Sequence, residues 1–333
     1  MSLIISIGLL VAGLALLIKG ADWLVDGASG LARIIGMSEL AIGLTIVSFG
    51  TSMPEFLVNI IASMQGNSDM AIGNIVGSNI ANTLLILGLS TLFGTLIVRS
   101  STVRNEIPFS LLAALVLFVV LNDVMIDGVD SLRILTRSEG IILLLFFIIF
   151  LYYTFSLRRE DMGDGSDGSM SFLAAMGYIL LGGIMLPVGG KFVVDSAMNL
   201  ASFFGVSQAF IGLSLLALGT SLPEVFTSCV AVKKGKADIA VGNVVGSNIF
   251  NIFWIMGISA IIRPIPLNTN LNIDLIVVII AALLLFILVQ RGPVHKRPLL
   301  IFRKQPEYNL LKSEGVFLLA GYAGYFLFIG LRG

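Results

Sequence analysis

The sequence predicts an all-α polytopic membrane protein whose ten transmembrane helices form two inverted five-helix repeats. Of its 333 residues, 57% are hydrophobic and 12% are charged, and the mean hydropathy is +1.01. This composition is far more apolar than that of a soluble domain. Several apolar runs are long enough to cross a bilayer, and part of the sequence occurs twice. The zero net charge argues against a nucleic-acid partner, because phosphate binding needs a basic face.

Ten apolar runs, separated by charged or glycine-rich breaks, predict the membrane helices. They lie near residues 3–19, 39–64, 71–98, 107–122, 139–157, 172–192, 207–232, 239–263, 272–290 and 315–331. The charged segment 158–171 predicts a cytoplasmic linker between an N-terminal repeat, 1–157, and a C-terminal repeat, 172–333. Because each repeat has an odd number of helices, the second repeat enters the membrane from the opposite side, as in many secondary transporters.

The distribution of Lys and Arg predicts the orientation of the chain in the cell membrane, inner or plasma. With the N-terminus outside, 15 of these residues fall on the cytoplasmic side and 5 on the outer side. Cytoplasmic loops carry the excess of positive charge in membrane proteins. We therefore predict that both termini lie outside and that the linker lies inside.

An internal duplication supports the division into two repeats. Two motifs each occur twice, GTSMPE at 50–55 with GNIVGSNIAN at 73–82, and GTSLPE at 219–224 with GNVVGSNIFN at 242–251. Residues 42–90 align with 211–259 without a gap at a constant offset of 169, and 23 of 49 positions are identical. The identical residues are mostly small or polar types that a hydrocarbon environment penalises. We therefore expect the duplicated stretches to carry the function.

The duplicated motifs place oxygen atoms along stripes of neighbouring helices. Spacings of three, four and seven put Ser48, Thr51, Ser52 and Glu55 on one face. A proline in the same motif, Pro54, removes a backbone hydrogen bond and predicts a kink around residues 48–51. The other members of the set are Asn74, Ser78 and Asn82 on the next helix, and Ala217, Thr220, Ser221, Glu224, Asn243, Ser247 and Asn251 in the second copy.

A site built only from oxygen atoms indicates a hard cation such as sodium, calcium, magnesium or manganese. The single cysteine, Cys229, and the single histidine, His295, cannot supply a zinc or copper site. An unpaired carboxylate near the bilayer centre costs from ~3 to more than ~10 kcal/mol, so Glu55 and Glu224 each need a cation or a proton. Two glutamates neutralise one divalent ion. We expect no resident cofactor, since the bound ions are the transported ones.

Structural interpretations compete with this one. The Ser, Thr and Asn stripes, Asn74 and Asn243 among them, could serve only as hydrogen bonds between helices. Glu55 and Glu224 could form ion pairs with Lys19 or Lys191, but the predicted spans place both lysines at helix ends. The carboxylates at residues 26 and 195 also obey the offset of 169, and we predict that both lie at solvated helix ends.

The paired motifs resemble the two alpha repeats of the sodium/calcium exchanger family, within the calcium:cation antiporter superfamily, and specifically its prokaryotic ten-helix type. The resemblance covers nearly the whole chain. It implies alternating access, with ions bound at mid-membrane by the second, third, seventh and eighth helices and with the first and sixth helices as a sliding gate. The ligands that it implies are the backbone carbonyls of Ser48 and Ala217 and the side chains of Thr51, Ser52, Glu55, Ser78, Asn82, Thr220, Ser221, Glu224, Ser247 and Asn251.

The leading hypothesis is a calcium/sodium antiporter in which Ca²⁺ and Na⁺ compete for the same oxygens. A calcium/proton antiporter is the alternative, since the same glutamates can exchange by protonation. A passive cation channel is less favoured, because inverted halves with one acidic pair are typical of transporters. An enzyme finds no support, because no nucleophile, base and orienting group occur together. The expected partners are Ca²⁺, Na⁺ and lipid, with H⁺ and Mn²⁺ left open and no obligate protein partner.

Some relatives carry an aspartate at the position of Asn251, and this chain has Asn82 and Asn251 as neutral equivalents. The ion stoichiometry therefore does not follow from the resemblance. The linker is too short for the calcium-sensing domains that larger relatives insert there, so we expect no calcium regulation beyond the transport site.

Overall fold

The computed structural model of the protein describes residues 3–123, 126, 128, 133–157, 170–203, 219–291 and 307–332. Over these residues the chain is almost entirely helical, which confirms the all-α prediction. Eight helices are long and apolar enough to cross a membrane, and a bent pair of shorter helices makes up to nine. The remaining predicted span, 207–232, is described only from residue 219 onward.

Twelve helices, one 3₁₀ turn at Thr269–Leu271 and four short strands form the described chain. The helices are α1 Leu3–Ile35, α2 Glu39–Thr51, α3 Met53–Gln65, α4 Ser68–Phe93, α5 Ser100–Arg104, α6 Glu106–Leu121, α7 Arg137–Ser156, α8 Phe172–Phe203, α9 Leu222–Lys233, α10 Ala237–Ile262, α11 Asn272–Arg291 and α12 Lys312–Arg332. The strands are β1 Leu96–Arg99, β2 Ile134–Leu135, β3 Ile265–Pro266 and β4 Glu307–Leu310. They pair antiparallel as β1 with β4 and β2 with β3.

The helices α1 and α8 are much longer than a bilayer requires. They contain 33 and 32 residues, whereas ~20 residues cross the hydrocarbon core. The prediction that α1 ends near residue 19 is therefore wrong. The chain stays helical because Ala21, Leu24 and Ala28 continue a buried apolar face that is 0% exposed.

This length also corrects the places of four charged residues. Lys19 and Asp26 lie within α1, and Lys191 and Asp195 lie within α8, so none of them marks a helix end. Lys191 pairs with Asp195 in its own helix, with 3.2 Å between Nζ and Oδ2.

Glycines let α1 and α8 cross at very short range. A Cβ atom on Gly13 would lie 2.8 Å from the carbonyl oxygen of Gly189, and one on Gly182 would lie 2.6 Å from that of Gly20. Small residues allow this kind of backbone approach between membrane helices. Gly182 and Gly189 are 169 residues beyond Gly13 and Gly20, so equivalent positions meet reciprocally. Two inverted repeats, which we retain as the interpretation of 1–157 and 172–333, are expected to meet in this way.

Two lysines in the turn between α9 and α10 form ion pairs with carboxylates of α1 and α2. The Nζ atom of Lys234 lies 2.5 Å from Oδ1 of Asp22 and 2.7 Å from Oδ1 of Asp26. The Nζ atom of Lys236 lies 2.6 Å from Oε1 of Glu39. All five side chains are partly exposed, so these ion pairs are screened by solvent.

We expect Lys234→Gln to lower the free energy of unfolding by about 1 kcal/mol, because both ion pairs of Lys234 are partly exposed. Thermal unfolding of the purified protein measures this loss, which should shrink in high salt because salt screens the pairs. Lys233→Gln is the matched control, since Lys233 is exposed and adjacent. Equal losses in the two variants would contradict the assignment.

Candidate functional site

Two helix starts form the centre of the candidate site. The axes of α2 and α3 differ by 50° at a break occupied by Ser52. Glu55 lies in the first turn of α3 after Pro54, and Glu224 lies in the first turn of α9 after Pro223. A proline is tolerated at this position, and the free N–H groups of a first turn favour negative charge.

The bend falls just after the predicted place. The prediction put the kink at residues 48–51, whereas the structure has a π-helical turn at Gly43–Val47, a short α-helical turn at Ser48–Thr51 and the break at Ser52. The amide of Ser52 still donates to the carbonyl of Ser48 at 2.9 Å. Pro54 is accommodated in the first turn of the new helix, so the chain bends before the proline rather than one turn earlier.

Serine hydroxyls link the two glutamates reciprocally. The Oγ atom of Ser52 donates to Oε1 of Glu224 at 3.1 Å, and Oγ of Ser221 donates to Oε1 of Glu55 at 3.3 Å. Ser78 also donates to Oε1 of Glu55, at 3.4 Å. Ser52 and Ser221, like Glu55 and Glu224, differ by the repeat offset of 169. Each carboxylate is therefore held by the serine that precedes the other, and both face one buried site.

A second reciprocal arrangement joins four asparagines on α4 and α10. The Nδ2 atom of Asn82 donates to Oδ1 of Asn248 at 3.1 Å, and Nδ2 of Asn251 donates to Oδ1 of Asn79 at 3.1 Å. Asn82 and Asn251 lie at the second position of π-helical segments, Ala81–Ile86 and Phe250–Met256. Local π-helices often occur at functional sites.

Asn79 and Asn248 were not among the predicted site residues. They lie one residue after Ser78 and Ser247, outside the four-residue spacing of the predicted stripe. Their presence in both copies of the GSN motif, at the offset of 169, is the signal that indicates them.

Asn74 and Asn243 hold the glutamate-bearing helices in place. Asn74 Nδ2 donates to Oδ1 of Asn59 at 2.7 Å and to the carbonyl of Glu55 at 3.2 Å. Asn243 Nδ2 donates to Oγ of Ser228 at 3.0 Å. Hydrogen bonds between side chains join membrane helices in this way. Asn59 and Ser228 again differ by 169 residues, and both are fully buried.

Two hydroxyls of α2 reach α10. Thr51 Oγ1 donates to Oδ1 of Asn243 at 2.9 Å, and Ser48 Oγ donates to the carbonyl of Asn243 at 3.0 Å. The carbonyl of Ser48, which the resemblance implies as a ligand, accepts from the amide of Ser52. The Thr220 hydroxyl is buried and has no hydrogen-bond partner within the described chain. Ala217 lies outside the described residues.

Several buried oxygens in this region have no hydrogen-bond partner within the described chain. They are Oε2 of Glu55, Oε2 of Glu224, Oδ1 of Asn82, Oδ1 of Asn251 and Oγ of Ser247. A buried polar atom left without a partner costs ~1–3 kcal/mol, and more when charged. Each of these buried oxygens is therefore a candidate ligand for a cation.

The donor set fits a hard cation. The described residues contain no group of three or more His, Cys, Asp or Glu that could hold a metal. Two carboxylates and neutral oxygens instead balance one divalent charge with ligands that Ca²⁺ accepts. Over the same residues, neither glutamate forms a salt bridge with a lysine or arginine.

Comparison with known proteins identifies the family. The sequence profile of the family described as "Sodium/calcium exchanger protein" matches residues 5–156 and 174–331, which is nearly the whole chain. The chain belongs to the sodium/calcium exchanger family. This exchanger is 40% identical over 298 residues to the inner membrane protein YrbG of Escherichia coli (strain K12), and the match covers 85% of this chain and 89% of that protein.

Two further likenesses extend over the full length. This exchanger is 28% identical over 333 residues to the sodium/calcium exchanger MaX1 of Methanosarcina acetivorans, and the match covers 89% and 90% of the two chains. Among solved structures it resembles the sodium-calcium exchanger NCX_Mj soaked with zero Na⁺ and Ca²⁺, with a TM-score of 0.78 and 29% identity. That match covers 97% of this chain and 98% of the other.

These findings confirm the predicted family and the all-α membrane fold. This exchanger is a multi-pass membrane protein and, by its family, a cation/Ca²⁺ antiporter rather than an enzyme. The roles of individual residues as ion ligands stay predictions.

Proposed function

We propose that this exchanger moves Ca²⁺ against Na⁺ through one buried site built on Glu55 and Glu224. The observation that carries the proposal is the reciprocal linkage of the two carboxylates through Ser52 and Ser221. This linkage brings two negative charges from separate helices to one place. A divalent cation there makes the site neutral, which a low-dielectric membrane interior strongly favours.

Competition between the ions couples their fluxes in this proposal. Ca²⁺ takes six to eight oxygen ligands, which two carboxylates and the surrounding hydroxyl, amide and carbonyl oxygens can supply. Na⁺ uses the same oxygens, so the two ions exclude each other. We include the carbonyls of Ser48 and Ala217 among the ligands. An empty site would leave two carboxylates that repel each other. In this proposal the site therefore switches from one side of the membrane to the other only when ions fill it.

Alternating access assigns a role to the crossing of α1 and α8. Glycines bring α1 and α8 into close backbone contact. We propose that the two helices slide together across the ion site. The names of relatives support the counter-ion: MaX1 and NCX_Mj are both named as exchangers of sodium and calcium. We further propose that both termini lie outside the cell.

Proteoliposomes test the counter-ion directly. We expect vesicles loaded with Na⁺ to take up calcium-45, and vesicles loaded with K⁺ to take up only the background amount. A third set, with an imposed pH gradient and no Na⁺, is expected to match the K⁺ set. Uptake that follows the pH gradient and ignores Na⁺ would instead support calcium/proton exchange, in which protons occupy Glu55 and Glu224.

Competition for one site makes a second prediction. Na⁺ added on the same side as calcium-45 is expected to raise the KM for Ca²⁺ without lowering the maximal rate, because both ions use the same oxygens. Choline at equal ionic strength is the control. A fall in maximal rate at constant KM would contradict a shared site.

Orientation has its own test. Cys229 is the single cysteine, so Cys229→Ser gives a background into which one cysteine is placed at Gly165 of the linker. We expect an impermeant thiol reagent to leave it unlabelled in intact cells and to label it after the membrane is opened. Labelling in intact cells would reverse the proposed orientation.

A further inference from the structure

A groove separates α11 from α12 on the outside of the bundle. Its volume is about 390 Å³, and Leu84 of α4 forms its floor. Ile273 and Ile280 line one wall, and Gly321 and Phe328 line the other. The groove follows α11 from Ile273 to Leu284, which at a rise of ~1.5 Å per residue is about 16 Å.

The repeat shows that the groove is specific to the second half. The tripeptide Ser-Glu-Gly opens both α7, at 138–140, and α12, at 313–315, with an offset of 175. A Cβ on Gly140 would meet the carbonyl of Gly257, and one on Gly315 would meet that of Gly88. Gly88 and Gly257 differ by the repeat offset of 169, so these contacts fix the correspondence between α7 and α12.

By this correspondence, Phe146 is the equivalent of Gly321, and Phe253 is the equivalent of Leu84. In the first half Phe146 stacks on Phe253, with 5.3 Å between the ring centroids. In the second half a glycine and a leucine replace this aromatic pair. Neither ring has a counterpart between α12 and α4, where the groove runs past Leu84 and Gly321.

The surface around the groove identifies its environment. Ile273 is 47% exposed, Ile280 is 55% exposed and Phe328 is 39% exposed, and all three lie on spans that are apolar enough to cross the membrane. The mouth of the groove is thus continuous with the lipid-facing surface of α11 and α12. Hydrocarbon is the solvent on that surface.

A cation lies at one end of the groove. The guanidinium of Arg332 lies over the ring of Phe328, with 5.5 Å from Cζ to the ring centroid. It donates to Oδ2 of Asp274 at 2.7 Å and to the carbonyl of Asn270 at 3.2 Å. Since a guanidinium has five N–H donors and the Arg332 side chain is 31% exposed, donors remain for a phosphate group.

We propose that the groove is a binding site for one glycerophospholipid, with an acyl chain along Leu84 and Gly321 and the phosphate at Arg332. The apolar groove suits an acyl chain, and Arg332 at its end suits the phosphate. The opening onto the bilayer lets the lipid enter from the membrane. The chain rests on Leu84, two residues from Asn82, so the lipid lies one side-chain layer from the ion site. The inference is independent of which ion is exchanged.

Photolabelling of the full chain in vesicles tests this site. The probe is a phosphatidylglycerol with a diazirine in mid-chain, and labelled residues are located by mass spectrometry of peptides. We expect labels at 273–284 and 321–328 in the wild type. Gly321→Phe restores the aromatic filling of the first half and should lower this labelling about tenfold, which corresponds to ~1.4 kcal/mol.

Three controls make the outcome decisive. Gly330→Phe places the same ring on the same helix away from the groove and should keep full labelling. A second groove variant, Gly324→Leu, should repeat the loss if Gly321→Phe does not fold. A diacylglycerol probe with the same diazirine has no phosphate, and we expect it to label the wild-type groove less than the phospholipid does.

The headgroup has a separate variant. The double change Arg332→Gln with Asp274→Asn removes both charges and leaves no buried carboxylate unpaired. In this variant we expect the two probes to label equally. Labelling that is unchanged by both groove variants would overturn the site, and equal labelling by both probes in the wild type would overturn the phosphate contact. Cross-links between two copies of the chain at 273–284 would show that a second copy occupies the groove instead.

Discussion

Glu55→Gln is expected to lower sodium-driven calcium uptake by a factor of about 100 or more. Glutamine keeps the shape of the side chain but removes one of the two charges that balance Ca²⁺. Breaking a buried charge pair costs ~3–5 kcal/mol, and each ~1.4 kcal/mol changes an equilibrium tenfold. Calcium-45 uptake by Na⁺-loaded vesicles measures the loss, and Glu224→Gln should match it because the two glutamates occupy equivalent places.

Glu139→Gln provides a matched control. Glu139 accepts hydrogen bonds in an exposed cap at the start of α7, far from the site, so the same substitution should leave uptake nearly intact. Size-exclusion profiles like that of the wild type would show that the Glu55 and Glu224 variants fold. Normal uptake by folded Glu55→Gln would remove Glu55 from the ion site.

Gly246→Val is expected to abolish uptake and to lower the melting temperature by several degrees. A Cβ at this position would lie 2.7 Å from the carbonyl oxygen of Leu44 and 2.8 Å from its Cα, and it would also clash with Oγ of Ser48. These backbone atoms of Leu44 cannot move aside by a rotamer change, as a side chain can. Overpacking of this kind costs ~1–3 kcal/mol, and here it also separates α2 from the Asn243 that binds Thr51 and Ser48.

Thermal unfolding in detergent and calcium-45 uptake measure the two effects. Gly8→Val is the control, because Gly8 is exposed and a Cβ there meets nothing within 4 Å in the described chain. A Gly246→Val protein as stable and as active as the control would contradict the tight packing of α2 on α10.

The duplication made most of the site predictable. Because both copies repeat the same residues at one offset, Glu55, Ser52, Glu224 and Ser221 could be assigned to a common place before any helix was positioned. The stripe analysis missed Asn79 and Asn248, because it followed only the four-residue spacing from Asn74 and Asn243. It also did not predict the π-helical segments that begin at Ala81 and Phe250, since such segments have no clear sequence signal.

The length of α1 was not predictable from hydropathy. Residues after Lys19 include charged side chains, which ended the apolar run in the sequence. In the structure Asp22 and Asp26 are matched by Lys234, some 200 positions away, while the buried face of Ala21, Leu24 and Ala28 continues the helix. A hydropathy average over neighbouring residues contains no information about a partner as distant as Lys234.

The ion pairs of Lys234 and Lys236 also break the equivalence of the two halves. Subtracting 169 from their numbers gives Gln65 and Asn67, which carry no charge, and the counterpart of Asp22 is Lys191. The turn between α3 and α4 therefore cannot form the equivalent ion pairs with α8. If α1 slides as proposed, its movement away from Lys234 breaks charged contacts that have no counterpart at α8. We therefore expect unequal barriers on the two sides of the nearly symmetric ion site, with import and export at different rates under mirrored gradients.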